Sequence, residues 1–465
     1  MKAITGIILV VSASCLWAQT EELGKPNIIL ILADDLGYGD LGYTGSTQIR
    51  TPHIDALATS GVQFIQGYVS SAVCAPSRAG LLTGRNQVEF GFDNNLAETQ
   101  PGFDPAFAGL PVGQMTIADR LKAQGYATGL IGKWHLGDKE QFHPTKRGFD
   151  EFWGYLGGSH DYFQSVPNGK GALSPIQSNY KTPKPLTYIT DDQGDECVDF
   201  IKRHAKEPFF LYASFNAPHA PMQATQEDLA LFSHIADQSR RTYAAMVHRL
   251  DVNVGKIIRA LEAEGLRENT LVVFLSDNGG PADQNASLNA PLNGQKGILL
   301  EGGIRVPFIF SWPAKLPTIT FDWPVSALDL APTFLQMAGG EVAEVDFSGV
   351  DLMPFLLDEK LNEPHTALMW KFTISSAIRE GDWKLISIPD RLPMLFHLPN
   401  DRSEQHDVAL ANLAITEKLL KKLGQWSVRL PHPVFMEGAE WKRKQLELYN
   451  KNYALEQPKA KTQSN

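Results

Sequence analysis

A cysteine lies in a segment whose residue types suit the binding of an anion. Cys74 is followed by Pro76, Ser77 and Arg78 within the run SAVCAPSRAGLLTGR. Proline and serine are typical of a helix start, and the free N–H groups of a helix N-terminus favour an anion. Arg78 adds a fixed charge whose forked donors match an oxyanion. The pattern predicts an anion site at Cys74, with a buried inert cysteine and a thiolate nucleophile paired with histidine as the alternatives.

Polar side chains follow four apolar runs that have the character of buried parallel strands. The runs are residues 27–33, 127–131, 209–215 and 271–275, with 306–312 as a fifth candidate. Near-continuous apolar runs of this length are typical of strands that are covered on both faces. The polar residues that follow are Asp34, Asp35, Lys133, His135, Asn216, His219, Asp277 and Asn278. Because ligands of open α/β sheets bind beyond the carboxyl ends of the strands, we expect these side chains to share one edge.

Asp34, Asp35, Asp277 and Asn278 are the predicted ligands of a metal ion. Their hard oxygen donors suit calcium or magnesium, and no soft sulfur pair accompanies them. Each pair alone has an ordinary explanation as a helix cap or a turn. Three carboxylates buried together without a cation would be very unfavourable, so the set favours a metal site.

Lys133, His135 and His219 are candidate catalytic residues. Lys133 and His135 are two residues apart, so extended backbone would point them to the same side. His219 lies between Pro218 and Pro221 in a stiff loop. An isolated lysine or histidine is more often solvated or structural, but a position at a strand end favours function, with His219 as a candidate general acid.

The elements that position these residues alternate along the chain. Helical patterns cover residues 115–124, 192–206 and 242–264, between the apolar runs. This alternation predicts an α/β fold with a large mixed, mostly parallel sheet sandwiched by helices. Shorter strand-like pieces and a helical pattern over 409–430 predict a smaller C-terminal α+β domain with an antiparallel sheet. The expected division is a signal peptide over 1–18, a catalytic domain over 24–362, a C-terminal subdomain over 363–458 and a flexible tail over 459–465.

The composition and the N-terminus constrain partners and location. The formal net charge of −10 argues against non-specific binding to nucleic acid or anionic membrane. Residues 1–20 carry Lys2, a short apolar stretch and small residues, which is typical of a secretory signal peptide cut near Ala18. The stretch is too short to span a bilayer comfortably, and Ser12 fits poorly with lipoprotein anchoring at Cys15. We therefore expect an exported protein, periplasmic or secreted, without stable membrane insertion.

Two long segments resemble the signatures of a known enzyme family. CAPSRAGLLTGR resembles the first signature of the type I, formylglycine-dependent sulfatases, and GYATGLIGKWH resembles the second. The likeness continues through ADDLGYGDLG, NAPHAP, SDNGG, NGQKG and EGGIRVP, and reaches AIREGDWKLI near the end. It covers nearly the whole mature chain, with both signatures in the right order. The resemblance implies the fold of the alkaline phosphatase superfamily and the hydrolysis of sulfate esters.

The resemblance also implies a cofactor and a maturation partner. Cys74 would be converted to formylglycine by a formylglycine-generating or sulfatase-maturing enzyme, and the hydrate of this group would be the nucleophile. The implied ligands of calcium, or alternatively of magnesium, are Asp34, Asp35, Asp277, Asn278 and the modified Cys74.

Catalytic roles follow from the same resemblance. Arg78 and Lys133 would hold oxygens of the hydrate and the sulfate, and His135 would help the sulfated intermediate to collapse. His219 and Lys296 would bind the sulfate and protonate the leaving alcohol.

Residues 151–163 (EFWGYLGGSHDYF) are expected to lie beside the substrate pocket, because they follow the segment that carries Lys133 and His135. Their aromatic rings could pack under a sugar, and His160 and Asp161 could bind hydroxyl groups; ordinary loop packing is the equal alternative. Together with export, this favours a sulfated carbohydrate over a steroid or aryl ester. GYLGGSHDYF is similar to segments of bacterial sulfatases that act on polysaccharides, including sulfated galactans.

Three other functions compete with a sulfatase. The first is a phosphomonoester or phosphonate hydrolase of the same superfamily. The second is a non-catalytic relative that binds sulfated glycans, which the complete polar set disfavours. The third is an ordinary cysteine hydrolase.

Overall fold

The structure is a computed structural model that describes residues 24–96, 105–360, 362–434 and 439–452. The predicted signal peptide, Cys15 and the predicted tail lie outside the described residues. Among the residues that are described, no helix is both long and apolar enough to cross a membrane.

Nine strands form one large sheet. They are β1 (Asn27–Ala33), β2 (Val62–Phe64), β4 (Ala127–Lys133), β5 (Glu151–Tyr155), β6 (Gln177–Ser178), β7 (Phe209–Ser214), β8 (Thr270–Ser276), β9 (Phe308–Ser311) and β10 (Ile319–Phe321). Their order across the sheet is β10-β2-β9-β8-β1-β7-β4-β5-β6. The central pairs from β8 to β5 are parallel, whereas β2–β9, β8–β9 and β5–β6 are antiparallel. The predicted mixed, mostly parallel sheet is confirmed.

Helices cover both faces of this sheet, because its central strands are apolar on both sides. The helices are α1 (Pro52–Thr59), α2 (Cys74–Thr83), α3 (Ile117–Ala123), α4 (Ile189–Arg203), α5 (Gln226–Leu231), α6 (Gln238–Ala263), α7 (Ala282–Asn285), α8 (Glu301–Ile304), α9 (Leu330–Met337) and α10 (Met353–Leu356). On β1, Leu30 belongs to the core that contains α2, α3 and α9. Its neighbour Ile29 belongs to the core that contains α4 and α6. The near-continuous apolar sequence of the strand therefore reflects burial on two faces.

The register of the central strands brings their carboxyl ends to one level. Ala33 of β1 pairs with Ser276 of β8, and Leu32 pairs with Ser214 of β7. Gly132 of β4 pairs with the same Ser214. The polar residues after these strands therefore start from neighbouring points on one edge of the sheet.

The C-terminal part adds a second sheet of four antiparallel strands. They are β12 (Leu368–Phe372), β13 (Ser375–Glu380), β14 (Trp383–Ser387) and β15 (Met394–His397), and the helices α11 (Leu413–Ser427) and α12 (Ala439–Asn452) follow them. One face of this sheet packs on α11, and the other joins the core of the large sheet. The antiparallel sheet is confirmed, although β15 and α12 were not predicted. Two further short strands, β3 (Gly67–Tyr68) and β11 (Val325–Ser326), pair with each other.

Candidate active site

Cys74 is the first residue of helix α2. The helix begins at Cys74 and not at the predicted Pro76 or Ser77, because Val73 is the last residue with extended backbone. Pro76 fits within the first turn, where its missing N–H needs no partner. The Cys74 Sγ lies 3.1 Å from Lys296 Nζ and 4.0 Å from Asp35 Oδ1. Burial would raise the pKa of the Cys74 thiol, but the nearby charges of Lys133 and Lys296 outweigh burial and lower the pKa to about 7.

The Asp35 carboxylate contacts several other side chains of the site. Its carboxylate accepts hydrogen bonds from Lys296 Nζ at 2.6 and 2.8 Å and from Asn278 Nδ2 at 2.7 Å. His219 Nε2 faces the same carboxylate at 3.5 Å. Burial would raise the pKa of Asp35, yet the charges of Lys296 and His219 hold this pKa at about 2.

Asp34 and Asp277 each pair with a buried cation. Lys133 Nζ lies 2.5 Å from Asp34 Oδ2, while Arg78 contacts Asp277 Oδ2 through Nε at 2.9 Å and Nη2 at 2.8 Å. All four side chains are fully buried. Burial and the charge of Asp34 raise the pKa of Asp277 to about 6, although Arg78 opposes the shift. Removal of one member of such a buried pair costs about 3–5 kcal/mol, because the other charge stays without compensation.

The pKa values of the two histidines are shifted in opposite directions. His219 Nδ1 donates to the carbonyl oxygen of Ala220 at 2.6 Å. Burial alone would lower the pKa of His219. The negative charges of Asp34 and Asp35 outweigh burial, so the pKa of His219 is raised above its usual value. His135 has its pKa well below 6.5, because of burial and of the positive charges of Lys133 and Arg78.

The backbone at His135 differs from the expected extended form. Its φ of 59° lies in the left-handed region. β4 ends at Lys133, so the extended geometry from which a shared side was predicted does not continue to His135. The charges of Lys133 and Arg78 nevertheless act on His135, so Lys133 and His135 lie at the same site. Lys133 points into the carboxylates, while His135 lines a cavity next to them.

The oxygen atoms at this edge fit a hard cation. Among the described residues, the buried Oδ1 atoms of Asp34 and Asn278 have no hydrogen-bond partner. Buried polar atoms without a partner are rare and costly, so these two oxygens suit a bound ion. Asp34, Asp35, Cys74 and His219 can also place ligand atoms within 4.8 Å of one another. These residues could hold a metal ion. Calcium and magnesium prefer oxygen ligands, so the carboxylates are better suited to them than the nitrogen of His219 is.

Comparisons with known proteins agree with this arrangement. The model of the family described as Sulfatase matches residues 26–340. The chain belongs to the sulfatase family. It is therefore a sulfuric ester hydrolase. This class replaces the three alternatives of a phosphomonoester or phosphonate hydrolase, a non-catalytic glycan-binding protein and a cysteine hydrolase.

Individual relatives support the same class. N-acetylgalactosamine-6-sulfatase of Canis lupus familiaris is 32% identical, with 89% of this chain and 87% of the relative covered. Arylsulfatase J of Mus musculus is 31% identical over 88% of this chain and 77% of its own. The crystal structure of Ps i-CgsB in complex with k-i-k-neocarrahexaose is 38% identical, with a TM-score of 0.83 over 93% of this chain and 100% of that chain. A phosphonate monoester hydrolase of Agrobacterium radiobacter, at 20% identity and a TM-score of 0.62 over 87% of this chain and 96% of that one, shares the fold alone.

Ser214 is a site residue of this sulfatase that the sequence reasoning missed. Its Oγ donates to the carbonyl of Lys133 at 2.7 Å and accepts from Arg78 Nη1 at 2.6 Å. It is the last residue of β7 and stands two positions before Asn216, so a rule that included the last residue of each strand would have found it.

The C-terminal helix α12 holds the segment that carries Lys296. Gln445 Nε2 donates to the carbonyl of Gly297 at 2.8 Å, and Tyr449 Oη accepts from the N–H of Leu299 at 2.9 Å. Gln445 and Tyr449 are fully buried. Since α12 is charged and unremarkable in pattern, no signal in the sequence pointed to this contact.

A cavity of about 800 Å³ opens beside the carboxylates. His135 forms part of its wall, together with Leu156, Gly157, Gly158, Lys139 and Lys170. The segment 157–159 thus lies beside the pocket, as expected. Phe152, Trp153, Tyr155 and Tyr162 are instead buried in the core, so loop packing is what the structure shows for them.

The two predicted substrate-binding residues do not line this cavity. His160 is buried, and its Nδ1 and Nε2 lie 2.7 and 2.8 Å from the carbonyl oxygens of Asp161 and Ser174. The Asp161 carboxylate accepts hydrogen bonds from Gln223 and from the main-chain N–H groups of Phe163 and Gln164. Because these polar atoms are engaged within the loop, substrate binding by His160 and Asp161 stays a prediction without support from this geometry.

Proposed function

We propose that this sulfatase hydrolyses sulfate esters of a carbohydrate, with a formylglycine formed from Cys74 as nucleophile and a bound calcium ion. The observation that carries the proposal is the position of Cys74 at the start of α2. There its Sγ lies 3.1 Å from Lys296, next to Asp34 and Asn278 oxygens that lack partners among the described residues. A plain thiolate nucleophile would have little use for such a hard-cation site.

The formylglycine would supply the attacking oxygen, and the cation would stabilise negative charge on the sulfate as a Lewis acid. Asp34, Asp35, Asp277 and Asn278 would hold this ion, with magnesium as the alternative. Arg78 and Lys133 would then bind sulfate and nucleophile oxygens at fixed positions, because Ser214 and the carboxylates hold them there.

Proton transfer is assigned to His135, Lys296 and His219. His135 is suited to accept a proton, since burial and the neighbouring cations keep its pKa well below 6.5 and its buried Nδ1 has no partner in the described structure. Lys296 and His219 would bind the sulfate and protonate the leaving alcohol. These groups would act without solvent competition, because most of the site is buried.

A carbohydrate substrate is supported by the cavity and by the relatives. A volume of about 800 Å³ lies at the upper end of ordinary ligand pockets. Relatives that are at least 30% identical include an enzyme named for N-acetylgalactosamine 6-sulfate and a protein solved with a neocarrahexaose. Sulfated galactans and galactosamine 6-sulfates are therefore the first substrates to test.

The proposal requires a maturation partner and fits an exported protein. A formylglycine-generating or sulfatase-maturing enzyme would oxidise Cys74 before or during export, and the predicted signal peptide would direct the chain to the periplasm or the medium.

Mass spectrometry of the Cys74 peptide from the native host tests the nucleophile, and formylglycine is the expected form. Ion chromatography of sulfate released from neocarra-oligosaccharides and from chondroitin 6-sulfate oligosaccharides tests the substrate. Unmodified cysteine in an active preparation would contradict the first part. Release from 4-methylumbelliferyl sulfate but from none of the saccharides would contradict the second.

A further inference from the structure

We propose that the cavity beside the active site binds a second anionic group of the substrate through Lys139 and Lys170. The inference rests on the proposed function, because it concerns the part of a carbohydrate that does not react. It assigns the two lysines as residues that determine specificity.

The wall of the cavity is built from main chain and small residues. Gly158 packs on the ring of His135, and an added Cβ at this glycine would lie 2.6 Å from His135 Nε2. Gly169 is equally constrained, since a Cβ there would lie 1.7 Å from the carbonyl oxygen of Leu173. Among the described residues that line the cavity there is no phenylalanine, tyrosine or tryptophan. Stacking under a sugar ring is therefore not available, and hydrogen bonds and charge must provide recognition.

The charge of the wall is opposite to that of the chain. Lys139 comes from the segment after β4, and Lys170 comes from the loop between β5 and β6. Asp138 is the one carboxylate among the described lining residues. Two ammonium groups and one carboxylate give the described part of this wall a net positive charge, in a protein of formal net charge −10.

Both ammonium groups are accessible to a ligand. Lys139 Nζ lies 3.3 Å from Asp138 Oδ1, but the two side chains are 48% and 49% exposed. Such an exposed pair is weak, so a ligand anion can replace it. Lys170 is also exposed. A neutral sugar would gain nothing from these charges, whereas a saccharide with a second sulfate or a carboxylate would be selected by them.

Two matched pairs of saccharides distinguish sulfate from carboxylate as the second anion. The first pair is ι- and κ-neocarratetraose, which share a galactan backbone and differ in the number of sulfate groups. The second pair is the chondroitin 6-sulfate disaccharide with its carboxylate intact or reduced to the alcohol. Binding is measured by titration calorimetry in the Cys74→Ala background, and sulfate release is measured with the unsubstituted enzyme.

We expect the more highly charged member of at least one pair to bind more tightly. The Lys139→Ala/Lys170→Ala double variant should weaken its binding about three- to tenfold and should reduce the preference within the pair to near unity. The Lys139→Arg/Lys170→Arg variant should retain the preference, because the charge is kept. The preference of the unsubstituted wall should also shrink as NaCl rises from about 0.05 M to about 0.5 M.

Lys421→Ala provides the matched control, because Lys421 is an exposed lysine on α11, away from the cavity. It should leave the preference within both pairs unchanged. Equal weakening of both members of each pair by the double alanine variant would overturn the inference, as would no weakening at all. Absence of sulfate release from every saccharide would count against the proposed function instead, and it would leave the binding preference to be judged by itself.

Discussion

Two networks of charged side chains are buried in this molecule, and they differ in how completely their polar atoms are paired. The active-site network contains Asp34, Asp35, Asp277, Asn278, Arg78, Lys133 and Lys296. The junction network lies between α8 and the C-terminal sheet and contains Glu301, Glu404, Arg305, Arg379, Lys384 and Tyr68. All of these side chains are at most 9% exposed.

The junction network is closed. Lys384 Nζ lies 2.8 Å from one oxygen each of Glu301 and Glu404, and the second oxygen of Glu404 accepts from the N–H of Glu301 at 2.6 Å. The second oxygen of Glu301 accepts from Tyr68 Oη at 2.7 Å and pairs with Arg305 at 3.1 Å. Burial would raise the pKa of Glu301, but Lys384 and Arg305 hold this pKa at about 2. A network in which each carboxylate oxygen has a partner is suited to holding two sheets together.

The active-site network is open. Within the described structure, Asp34 Oδ1 and Asn278 Oδ1 are buried without a hydrogen-bond partner. Burial is nearly the same in the two networks, so burial does not distinguish a site from a structural cluster. The two networks differ in that the active-site network has buried oxygen atoms free to bind a ligand such as a metal ion. Four substitutions test this contrast.

The largest expected effect is on turnover. Cys74→Ala should lower kcat for sulfate release by on the order of a thousandfold or more, because the nucleophile is lost. Its free energy of unfolding should change by no more than about 1 kcal/mol, since one heavy atom is removed. Sulfate release is measured by ion chromatography and stability by urea unfolding. Cys197→Ala, at the other buried cysteine, is the control and should retain turnover; a Cys74→Ala enzyme with ordinary activity would refute the assignment.

The next effect concerns the open oxygens. After treatment with EGTA, CaCl₂ should restore activity and raise the melting temperature of the unsubstituted protein, because a ligand that binds only the folded state stabilises it. Asp34→Asn should abolish the calcium-dependent rise and lower kcat by roughly a hundredfold or more.

The control for this variant is Asp346→Asn, at an aspartate whose side chain is 88% exposed. Differential scanning fluorimetry with and without CaCl₂ provides the comparison. An Asp34→Asn protein that responds to calcium as the unsubstituted protein does would show that this oxygen is not a ligand.

The closed network should respond in stability and not in chemistry. Lys384→Met leaves Glu301 and Glu404 buried without their shared cation and should lower the free energy of unfolding by about 3–5 kcal/mol. Lys418→Met, which removes an ammonium that pairs with Glu380 at the surface, should cost less than about 1 kcal/mol. At a temperature where both variants are folded, kcat should stay within about twofold. A large loss of kcat without a loss of stability in Lys384→Met would break the contrast between the networks.

The smallest effect is a pH dependence at the buried pair of His365 and Asp329, which belongs to neither network. His365 Nε2 lies 2.9 Å from both carboxylate oxygens of Asp329. Burial lowers the pKa of His365, but the Asp329 charge outweighs burial and raises this pKa above 6.5. The folded state therefore binds the proton more tightly, so this stabilisation is complete below pH 6.5 and is lost as the pH rises through the folded-state pKa.

His365→Gln should flatten the decline of stability above pH 6.5, as measured by urea unfolding across a pH series. His406→Gln, at an exposed histidine, is the control and should keep the slope of the unsubstituted protein. An unchanged slope in His365→Gln would assign the pH dependence to other groups.

The sequence predicted the edge of the sheet well and its surroundings poorly. Asp34, Lys133 and Asp277 were predicted to meet because each follows an apolar run, and the register of β1, β4, β7 and β8 fulfils this. Lys296 entered through the resemblance to sulfatases alone, because it follows no strand. No signal in the sequence pointed to the junction network or to the contact of α12 with the Lys296 segment. Lys384 of β14 and Gln445 of α12 look like surface residues until the second sheet packs on the first.

The conformations of individual residues could not be predicted from the sequence either. The left-handed backbone at His135 breaks the strand alternation, and Gly158 must approach the His135 ring closely for the cavity wall to form. The close approach depends on the loop after β5, which lies on the other side of a complete strand in the sequence, and not on local propensity. Trp153 and Tyr155 lie in a segment that was expected to present aromatic rings to a sugar. They are buried instead because β5 joins the sheet beside β4.

The sequence by itself therefore determined the set of reactive groups, the order in which the chain delivers them and the class of reaction. The groups at the strand ends follow from the apolar periodicity and from the residues next to it, which are local properties. Lys296 and the class of reaction follow from the resemblance of the signature segments to those of sulfatases. Only the tertiary structure decided which oxygens remain open, which lysines face the cavity and which charges are closed into the junction. Those outcomes depend on contacts between residues far apart in the chain. Neither residue of such a contact indicates, by its type or its neighbours in the sequence, which partner it will meet.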